Sequence, residues 1–333
     1  MKLKVGNIEL KNNIILAPMA GITNLAYRKL LKSFGCGLVV SEMISDYALI
    51  YGNKETLKMI ETCDEEFPLA IQLFGGSKES LVAGAKILLE KGKFEILDIN
   101  LGCPVPKVVK ENAGSSWLKK ERQEELYETI KSIVEISSKP VTVKIRLGWD
   151  EESINVVDTC KLLEKAGVSM IAIHGRTRSQ YYLGHADYEY IRLAKEAVKI
   201  PIVANGDINS LDKAIEVLDY TKADGLMIGR GALGNPKLVT QIVEYLENEN
   251  RIENSTLEEN VEYLKKHFAY LKELKGEYKA FSEMRGLSTH YLKGYNNTKK
   301  FRVKLTMMKS EKEFLEICDE ILRENSTNQL PVE

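Results

Sequence analysis

The chain has 333 residues, of which 44% are apolar, enough for one α/β barrel of about 250 residues and an extension. Its 47 Lys and Arg against 48 Asp and Glu give a formal net charge of -1, which excludes a chain that is basic throughout. We expect a cytoplasmic protein without structural zinc or disulfides, because no run approaches about 18 apolar residues, the amino terminus lacks a signal-peptide pattern, and the five cysteines are scattered.

Charge is unevenly distributed along the chain. Between Tyr263 and Ser310 there are twelve Lys and Arg against three Glu, a local charge of +9 that leaves -10 for the remainder. A basic carboxy-terminal segment on an acidic body suggests a polyanionic partner. The alternative is an ordinary solvated helix surface rich in lysine.

Eight short apolar runs occur in the first 235 residues, each followed by a turn signal and a stretch of helical periodicity. They are IILAPMAG (14–21), LVVSEM (38–43), LAIQLFG (69–75), EILDINLGCP (95–104), VTVKIRLGW (141–149), MIAIHGRT (170–177), PIVANGDI (201–208) and GLMIGRGAL (225–233). Helices are predicted between them, for example over 77–91, 122–137, 151–166 and 210–219. Strict alternation predicts parallel strands, and eight units favour a (β/α)8 TIM barrel. A doubly wound sheet would carry Gly-x-Gly-x-x-Gly after the first strand, which is absent.

Polar or unusual residues gather at the carboxy-terminal end of each predicted strand. A barrel would bring these ends together on one face, where active sites of this fold are built. They are Pro18, Met19, Ser41, Glu42, Gln72, Asn100, Cys103, Lys144, Arg146, His174, Arg176, Asn205, Asp207, Gly229 and Arg230.

The last two strands end in Ala-Asn-Gly-Asp (204–207) and Ile-Gly-Arg-Gly (228–231). Glycines there let backbone N–H groups approach an anion, and Arg230 can add a charged hydrogen bond. Because the loops after strands seven and eight are the usual phosphate site of the barrel, we predict phosphate binding here.

Three further side chains are candidates for chemistry. Lys144 alternates with apolar neighbours inside a strand, so it is either a fixed cation for a group that becomes anionic or half of a salt bridge with Asp98 or Glu42. Cys103 lies between Gly102 and Pro104 in a sharp turn, which suits a proton donor or nucleophile better than a small buried apolar residue. His174 could donate to a phosphate or a ring, or be structural; no partner is spaced with it as in a metal site.

These stretches resemble the tRNA-dihydrouridine synthases, most of all their bacterial B-type branch. The matching segments cover all eight strand ends: APMAGITNLAYR (17–28), SEM (41–43), QLFG (72–75), DINLGCPVPKVVKENAGSSWL (98–118), VKIRLGW (143–149), IHGRTRSQYYLGHADY (173–188), IVANGDI (202–208) and LMIGRGALGNP (226–236).

The resemblance implies a flavoprotein oxidoreductase that reduces uridines in tRNA to 5,6-dihydrouridine. NADPH would reduce FMN, a hydride would pass from flavin N5 to uracil C6, and Cys103 would give its proton to C5. FMN would be held by Pro18, Met19, Ala20, Gln72, Lys144, His174, Asn205, Gly206, Asp207, Gly229 and Arg230. The uracil side would be faced by Asn100, Arg146 and Arg176.

The predicted domains are an FMN-binding barrel over 1–245, a helical tRNA-binding domain over 246–326 and a disordered tail over 327–333. Helical spacing in EENVEYLKKHFAYLKELK and EKEFLEICDEILREN supports the second domain. Between these segments cations alternate with aromatic residues, and Tyr291 and Tyr295 either stack on a base or pack between helices. The predicted RNA contacts are Arg285, Lys299, Lys300 and Arg302. The chain is expected to act as a monomer without metal or membrane.

Two other functions remain open at this point. An FMN barrel acting on a free pyrimidine, such as a dihydroorotate dehydrogenase, would not need the basic segment. An RNA-binding or chaperone protein that has lost catalysis would not need Cys103 and Lys144.

Overall fold

The computed structural model describes residues 2–327, and its centre is a closed barrel of eight parallel strands. The strands are β3 (Ile14–Leu16), β4 (Leu38–Ser45), β5 (Leu69–Phe74), β6 (Ile96–Asn100), β7 (Val141–Arg146), β8 (Met170–His174), β9 (Ile202–Asn205) and β10 (Gly225–Ile228). Each strand pairs with the next one along the chain, and β10 closes the barrel by pairing with β3. The predicted TIM barrel is therefore confirmed.

A short amino-terminal hairpin, β1 (Leu3–Val5) and β2 (Ile8–Leu10), precedes the barrel and was not predicted. Leu3, Val5 and Leu10 are buried in one cluster with barrel residues such as Ile15 and Val203. The hairpin thus covers the interior apolar core, whereas a second and larger cluster lies between the strands and the surrounding helices.

Within residues 2–248, ten α-helices accompany the strands. They are α1 (Leu25–Lys32), α2 (Asp46–Ile50), α3 (Lys54–Lys58), α4 (Lys78–Lys91), α5 (Pro106–Lys110), α6 (Gln123–Ile136), α7 (Val156–Lys165), α8 (Glu189–Ala197), α9 (Leu211–Thr221) and α10 (Lys237–Asn248). The helix predicted over 151–166 starts five residues late. Asp150 and Ser153 hydrogen-bond each other around a 3-10 turn, and Gly148 bridges to Ile154, so the regular helix begins only at Val156.

Four helices form the carboxy-terminal part: α11 (Leu257–Lys275), α12 (Glu277–Tyr291), α13 (Lys299–Met307) and α14 (Glu311–Thr327). The domain boundary predicted at residue 245 falls inside α10. Thr327 ends α14, and the rest of the predicted disordered tail, 328–333, lies outside the described residues. Within 2–327, no helix has the length and apolar character needed to cross a membrane.

The helical part is tied to the barrel by a hydrogen-bonded clamp. Asn260 Nδ2 on α11 donates to Gly234 O in the loop after β10, at 3.1 Å, and to Tyr291 O at the end of α12, at 2.9 Å. Gly234 has φ +78°, and a Cβ there would lie 2.3 Å from the carbonyl carbon of His290. Only glycine permits this approach, so α12 ends directly against the barrel loop.

Candidate active site

A cavity of about 610 Å³ opens at the carboxy-terminal ends of the strands. It joins the ends of β3, β7, β8, β9 and β10, which are far apart in the sequence. Nine predicted FMN-site residues line it: Pro18, Met19, Lys144, His174, Asn205, Gly206, Asp207, Gly229 and Arg230.

Two predicted FMN-site residues, Ala20 and Gln72, are absent from this lining. Ala20 is exposed outside the cavity, and Gln72 is fully buried among neighbouring strands. Both residues were predicted from their positions near strand ends, but neither forms part of the cavity wall.

The loops after β9 and β10 form the side of the cavity predicted to take phosphate. Gly206 has φ +122°, and a Cβ there would lie 2.8 Å from Ala186 Cβ. A Cβ on Gly231 would lie 2.0 Å from Ile208 O, so the two loops touch through backbone. Arg230 remains 59% exposed in its side chain and 3.9 Å from Asp207, which leaves its guanidinium available to an anion.

Lys144 lies on β7, opposite Asn100 of β6, and lines the cavity. The alternative of a salt bridge is not supported, because within residues 2–327 no carboxylate lies within 4.0 Å of Lys144 Nζ. Burial, with a smaller contribution from Arg146, lowers the pKa of Lys144 to about 8, although Asp98 and Cys103 oppose the shift. An anionic ligand next to Lys144 would stabilise its charged form and raise its pKa.

His174 ends β8 and is only 7% exposed. Burial and the cations around it, Lys144 first and then Arg146, Arg176 and Arg230, hold its pKa well below the usual range, so the imidazole is neutral. Arg176 Nη1 lies 3.3 Å from His174 Nε2, and since a guanidinium only donates, Nε2 accepts and Nδ1 carries the proton. A neutral ring with a fixed donor suits a flavin carbonyl or phosphate.

Cys103 lies in the turn after β6, partly buried. Ser115 donates to Cys103 O through both its backbone N–H, at 3.1 Å, and its hydroxyl, at 2.8 Å. Burial raises the pKa of the thiol, with the Val105 backbone N–H, Arg146 and Lys144 acting in the opposite direction. The thiol is therefore held protonated at neutral pH, as a proton donor requires.

Three side chains below Cys103 form a buried chain of hydrogen bonds. Asn100 Oδ1 accepts from the backbone N–H groups of Gly102 and Cys103, and Asn100 Nδ2 donates to Gln72 Oε1 at 2.7 Å. Gln72 Nε2 in turn donates to Asp98 Oδ2 at 2.6 Å. Gln72 and Asn100, predicted to touch FMN and uracil, are thus held together under the thiol.

The two arginines predicted to face the uracil are both only 2% exposed. Arg146 Nε donates to Gly102 O, and Nη1 donates to Thr177 O and Tyr181 O, so it lies next to the Cys103 turn. Arg176 forms a two-pronged ion pair with Asp207 and donates to Leu183 O and Gly184 O. Its hydrogen bonds hold the loop after β8, which does not support direct substrate contact by Arg176.

Several cavity residues were not among the predicted site residues, and three of them have polar groups that could contact a ligand: Tyr182, His290 and Lys293. The Tyr182 ring lies 4.5 Å from the guanidinium carbon of Arg230 and 5.4 Å from that of Arg146, between the phosphate side and the Cys103 side. His290 lies in the last turn of α12 and Lys293 follows that helix, so the helical part forms one wall. The Gln-Tyr-Tyr stretch of the matching segment was a usable signal for Tyr182. His290 belongs to the segment in which cations alternate with aromatic residues, but nothing local indicated that it or Lys293 would line the cavity.

The predicted RNA contacts differ in their surroundings. Lys299 is exposed, Lys300 forms an ion pair with Glu324, and Arg285 Nε donates to Met308 O at 2.7 Å. Arg302 is partly buried, and its Nε has no hydrogen-bond partner within the described part of the chain. Arg285 is therefore committed to the helical core, while Lys299 remains open to a ligand.

The alternative of core packing is supported for both tyrosines. Tyr291 is fully buried, and its hydroxyl lies 3.0 Å from His267 Nδ1. The Tyr295 hydroxyl donates to Ser255 O at 2.6 Å. Tyr295 is partly buried and packs against the apolar core.

A family model described as "Dihydrouridine synthase (Dus)" matches residues 15–326. The chain belongs to the dihydrouridine synthase family. Membership confirms the resemblance found in the sequence and the predicted class of enzyme, a flavin-dependent oxidoreductase. Among residues 2–327 no cluster of three or more His, Cys, Asp or Glu could hold a metal ion, and the predicted absence of metal stays a prediction.

Similar proteins agree with this assignment. The chain is 39% identical over 307 residues to a probable tRNA-dihydrouridine synthase of Rickettsia bellii, covering 92% of this chain and 93% of the relative. It is 38% identical over 300 residues to tRNA-dihydrouridine synthase B of Vibrio vulnificus, covering 90% and 92%.

Solved structures with a similar fold share little sequence. Morphinone reductase in complex with tetrahydroNAD superposes with a TM-score of 0.53 at 12% identity, over 77% of this chain and 92% of that chain. An old yellow enzyme homologue from Zymomonas mobilis gives 0.53 at 13% identity, over 78% and 95%. These likenesses support the barrel fold.

Proposed function

We propose that this protein is a tRNA-dihydrouridine synthase that uses FMN and NADPH to reduce specific uridines to 5,6-dihydrouridine. The observation that carries the proposal is the position of the Cys103 thiol, in the turn after β6 and near Lys144, beside a cavity that combines a glycine-rich anion site with this lysine. A free-pyrimidine enzyme would need the same cavity, but not a wall built from the helical part.

The cavity residues fit a flavin mononucleotide. Gly206, Gly229 and Arg230 offer backbone N–H groups and a guanidinium to the phosphate, and Met19 offers an apolar surface to the ring. Lys144, which lines the cavity, would stabilise the negative charge that collects on a reduced flavin. When bound, FMN supplies the hydride for uracil C6 and takes its electrons from NADPH.

The chain's own residues then complete the reduction. Charge develops toward C5 and O4 of the uracil as C6 is reduced, and the Cys103 thiol protonates C5. Arg146 and Tyr182 border the space beside the thiol and would orient the base. A uridine in folded RNA must be swung out of its stack to reach this position, so the RNA must be held elsewhere.

The helical part would hold the RNA. The protein would act as a monomer in the cytoplasm. Its exposed Lys299 and its cavity residue Lys293 are the best placed cations for phosphates. Among the predicted contacts, Lys300 and Arg302 would contribute less, because one is ion-paired and the other partly buried.

Purified protein incubated with NADPH and an unmodified tRNA transcript tests the proposal. We expect dihydrouridine at defined positions of the transcript and no reduction of free uridine or orotate. Equal oxidation of NADPH with a free pyrimidine would favour the dehydrogenase alternative, and protein that binds RNA without any flavin would favour the non-catalytic one.

A further inference from the structure

The chain of hydrogen bonds under Cys103 ends at a buried carboxylate that is not part of the cavity wall. Asp98 is 2% exposed, and both of its oxygens accept: Oδ1 from the Thr142 hydroxyl and Oδ2 from Gln72 Nε2. Gln72 and Asn100 then link this carboxylate to the backbone N–H groups of Gly102 and Cys103.

The chain of bonds has a direction, and the carboxylate sets it. A side-chain amide has one accepting end and one donating end, whereas an ionised carboxylate only accepts. Because Asp98 accepts, Gln72 must present its NH2 to it and its oxygen to Asn100. Asn100 must then present its oxygen to Gly102 and Cys103. A reversed chain would place the Asn100 NH2 against two N–H donors, which costs free energy in a buried site.

The surroundings suit a fixed acceptor at this position. Burial raises the pKa of Asp98, while the hydrogen bonds from Thr142 and Gln72 and the charge of Lys144 stabilise the carboxylate. Thr142 cannot set the direction itself, because a hydroxyl can donate or accept. The paired backbone of β5 and β6 does not depend on these side-chain bonds.

We propose that Asp98 is a positioning residue, which acts through Gln72 and Asn100 to hold the Cys103 turn and its thiol in place. This inference rests on the proposed function for its catalytic meaning, since the positioned thiol is the proton donor. Asp98 itself touches neither the cavity nor the thiol.

The direct test is amide hydrogen exchange at Gly102 and Cys103. In Asp98→Leu, which is similar in size but accepts no hydrogen bond, exchange at these two amides should rise about tenfold or more. Asp98→Asn can still accept from Gln72 while donating to Thr142, so it should stay within about threefold of wild type. Unchanged exchange in Asp98→Leu, or an equal rise in Asp98→Asn, would overturn the proposal.

A second variant breaks the middle of the chain without changing charge. Gln72→Met should raise exchange at the same two amides, and the Asp98→Leu/Gln72→Met double variant should add little, because either change interrupts the same path. Additive rises would contradict a single path. If Asp98→Leu does not fold, Asp98→Ser, whose hydroxyl is too short to reach Gln72, replaces it under the same criteria.

Turnover separates positioning from a general structural effect. In Asp98→Leu, kcat for dihydrouridine should fall about tenfold or more while KM for tRNA and the rate of flavin reduction by NADPH stay within about twofold. An equal loss of flavin reduction would reject the positioning role. If wild-type protein makes no dihydrouridine, the proposed function fails, and amide exchange still decides whether Asp98 orders the turn.

Discussion

The environment of Cys103 favours the thiol over the thiolate. Removing the thiol in Cys103→Ala should leave FMN bound, because the side chain is outside the described cavity wall, but should lower dihydrouridine turnover by about 10²- to 10⁴-fold, the usual contribution of a general acid. The flavin absorbance of the purified variant and its turnover on tRNA check both parts. Multiple-turnover activity near wild type would exclude the acid role.

The raised pKa of Cys103 also predicts a direction for the pH dependence. An acid must carry its proton, so the tRNA-reducing step should stay fast above the usual thiol pKa and decline as pH rises through the raised one. Single-turnover reduction of tRNA by the pre-reduced enzyme, measured from pH 7 to pH 10, tests this. A rate that climbs with pH would indicate a thiolate nucleophile instead.

Lys144 should make FMN binding depend on pH near neutrality. Its ammonium form predominates below its pKa of about 8 and is lost above it, and an anionic ligand favours the charged form. FMN affinity of the apoprotein should therefore weaken as pH rises through about 8. Lys144→Met should bind FMN more weakly and without this transition; a transition that persists in the variant would assign it to another group.

The sequence located the candidate residues but not their partners. Lys144, Cys103 and His174 were predictable because polar side chains at the ends of parallel strands must meet on one face. Arg176 and Gln72 share that position in the sequence, yet one pairs with Asp207 and the other with Asp98. These pairings depend on side chains from other strands, and no local sequence pattern indicates them.

At the scale of elements, the clamp around Asn260 joins two parts that were predicted as separate domains. Asn260→Ala would leave Gly234 O and Tyr291 O without their buried donor, so the free energy of unfolding should fall by roughly 1–3 kcal/mol. Denaturant unfolding followed by circular dichroism measures this change.

Asn248→Ala is the matched control, because Asn248 is exposed at the end of α10 and bonds only to Glu244 among the described residues. Its effect should stay within about 0.5 kcal/mol. Equal losses in the two variants would show that the clamp adds nothing to stability.

The strands and most helices were predictable from periodicity, whereas two features were not. The hairpin of β1 and β2 has strands of three residues, too short for a periodic signal. The late start of α7 follows from the Asp150–Ser153 turn, which competes locally with the helix. Both exceptions arise from short-range geometry that hydrophobic spacing does not report.

At the scale of the whole molecule, α14 brings acidic side chains next to the basic segment of residues 263–310. Glu311–Thr327 carries six acidic and two basic residues and packs beside the lysines counted from 263 to 310. Lys272 pairs with Glu311, Lys300 with Glu324 and Lys304 with Glu320. The local charge of +9 predicted from sequence is therefore partly neutralised by α14, which begins directly after the segment 263–310.

Two double variants distinguish exposed from paired lysines. Lys293→Ala/Lys299→Ala should weaken tRNA binding and reduce the slope of log Kd against log salt by about 1 for each phosphate that the protein no longer binds. Lys300→Ala/Lys304→Ala removes the same charge from pairs that are already neutralised and should have a smaller effect. Binding measured from about 50 to about 200 mM salt decides; the reverse order would mean that RNA displaces α14.

The acidic side chains of α14 also compete with polyanions for the lysines of the same molecule. The carboxylates of α14 are held next to these lysines and therefore compete for them at a high effective concentration. An unstructured RNA would have to displace these carboxylates without gaining contacts that match the shape of the protein. A folded RNA that engages several exposed cations at once meets this demand, and an unstructured one does not. If the protein binds tRNA as proposed, short dwell times on unsuitable transcripts would follow from a helix whose charge opposes that of its neighbours.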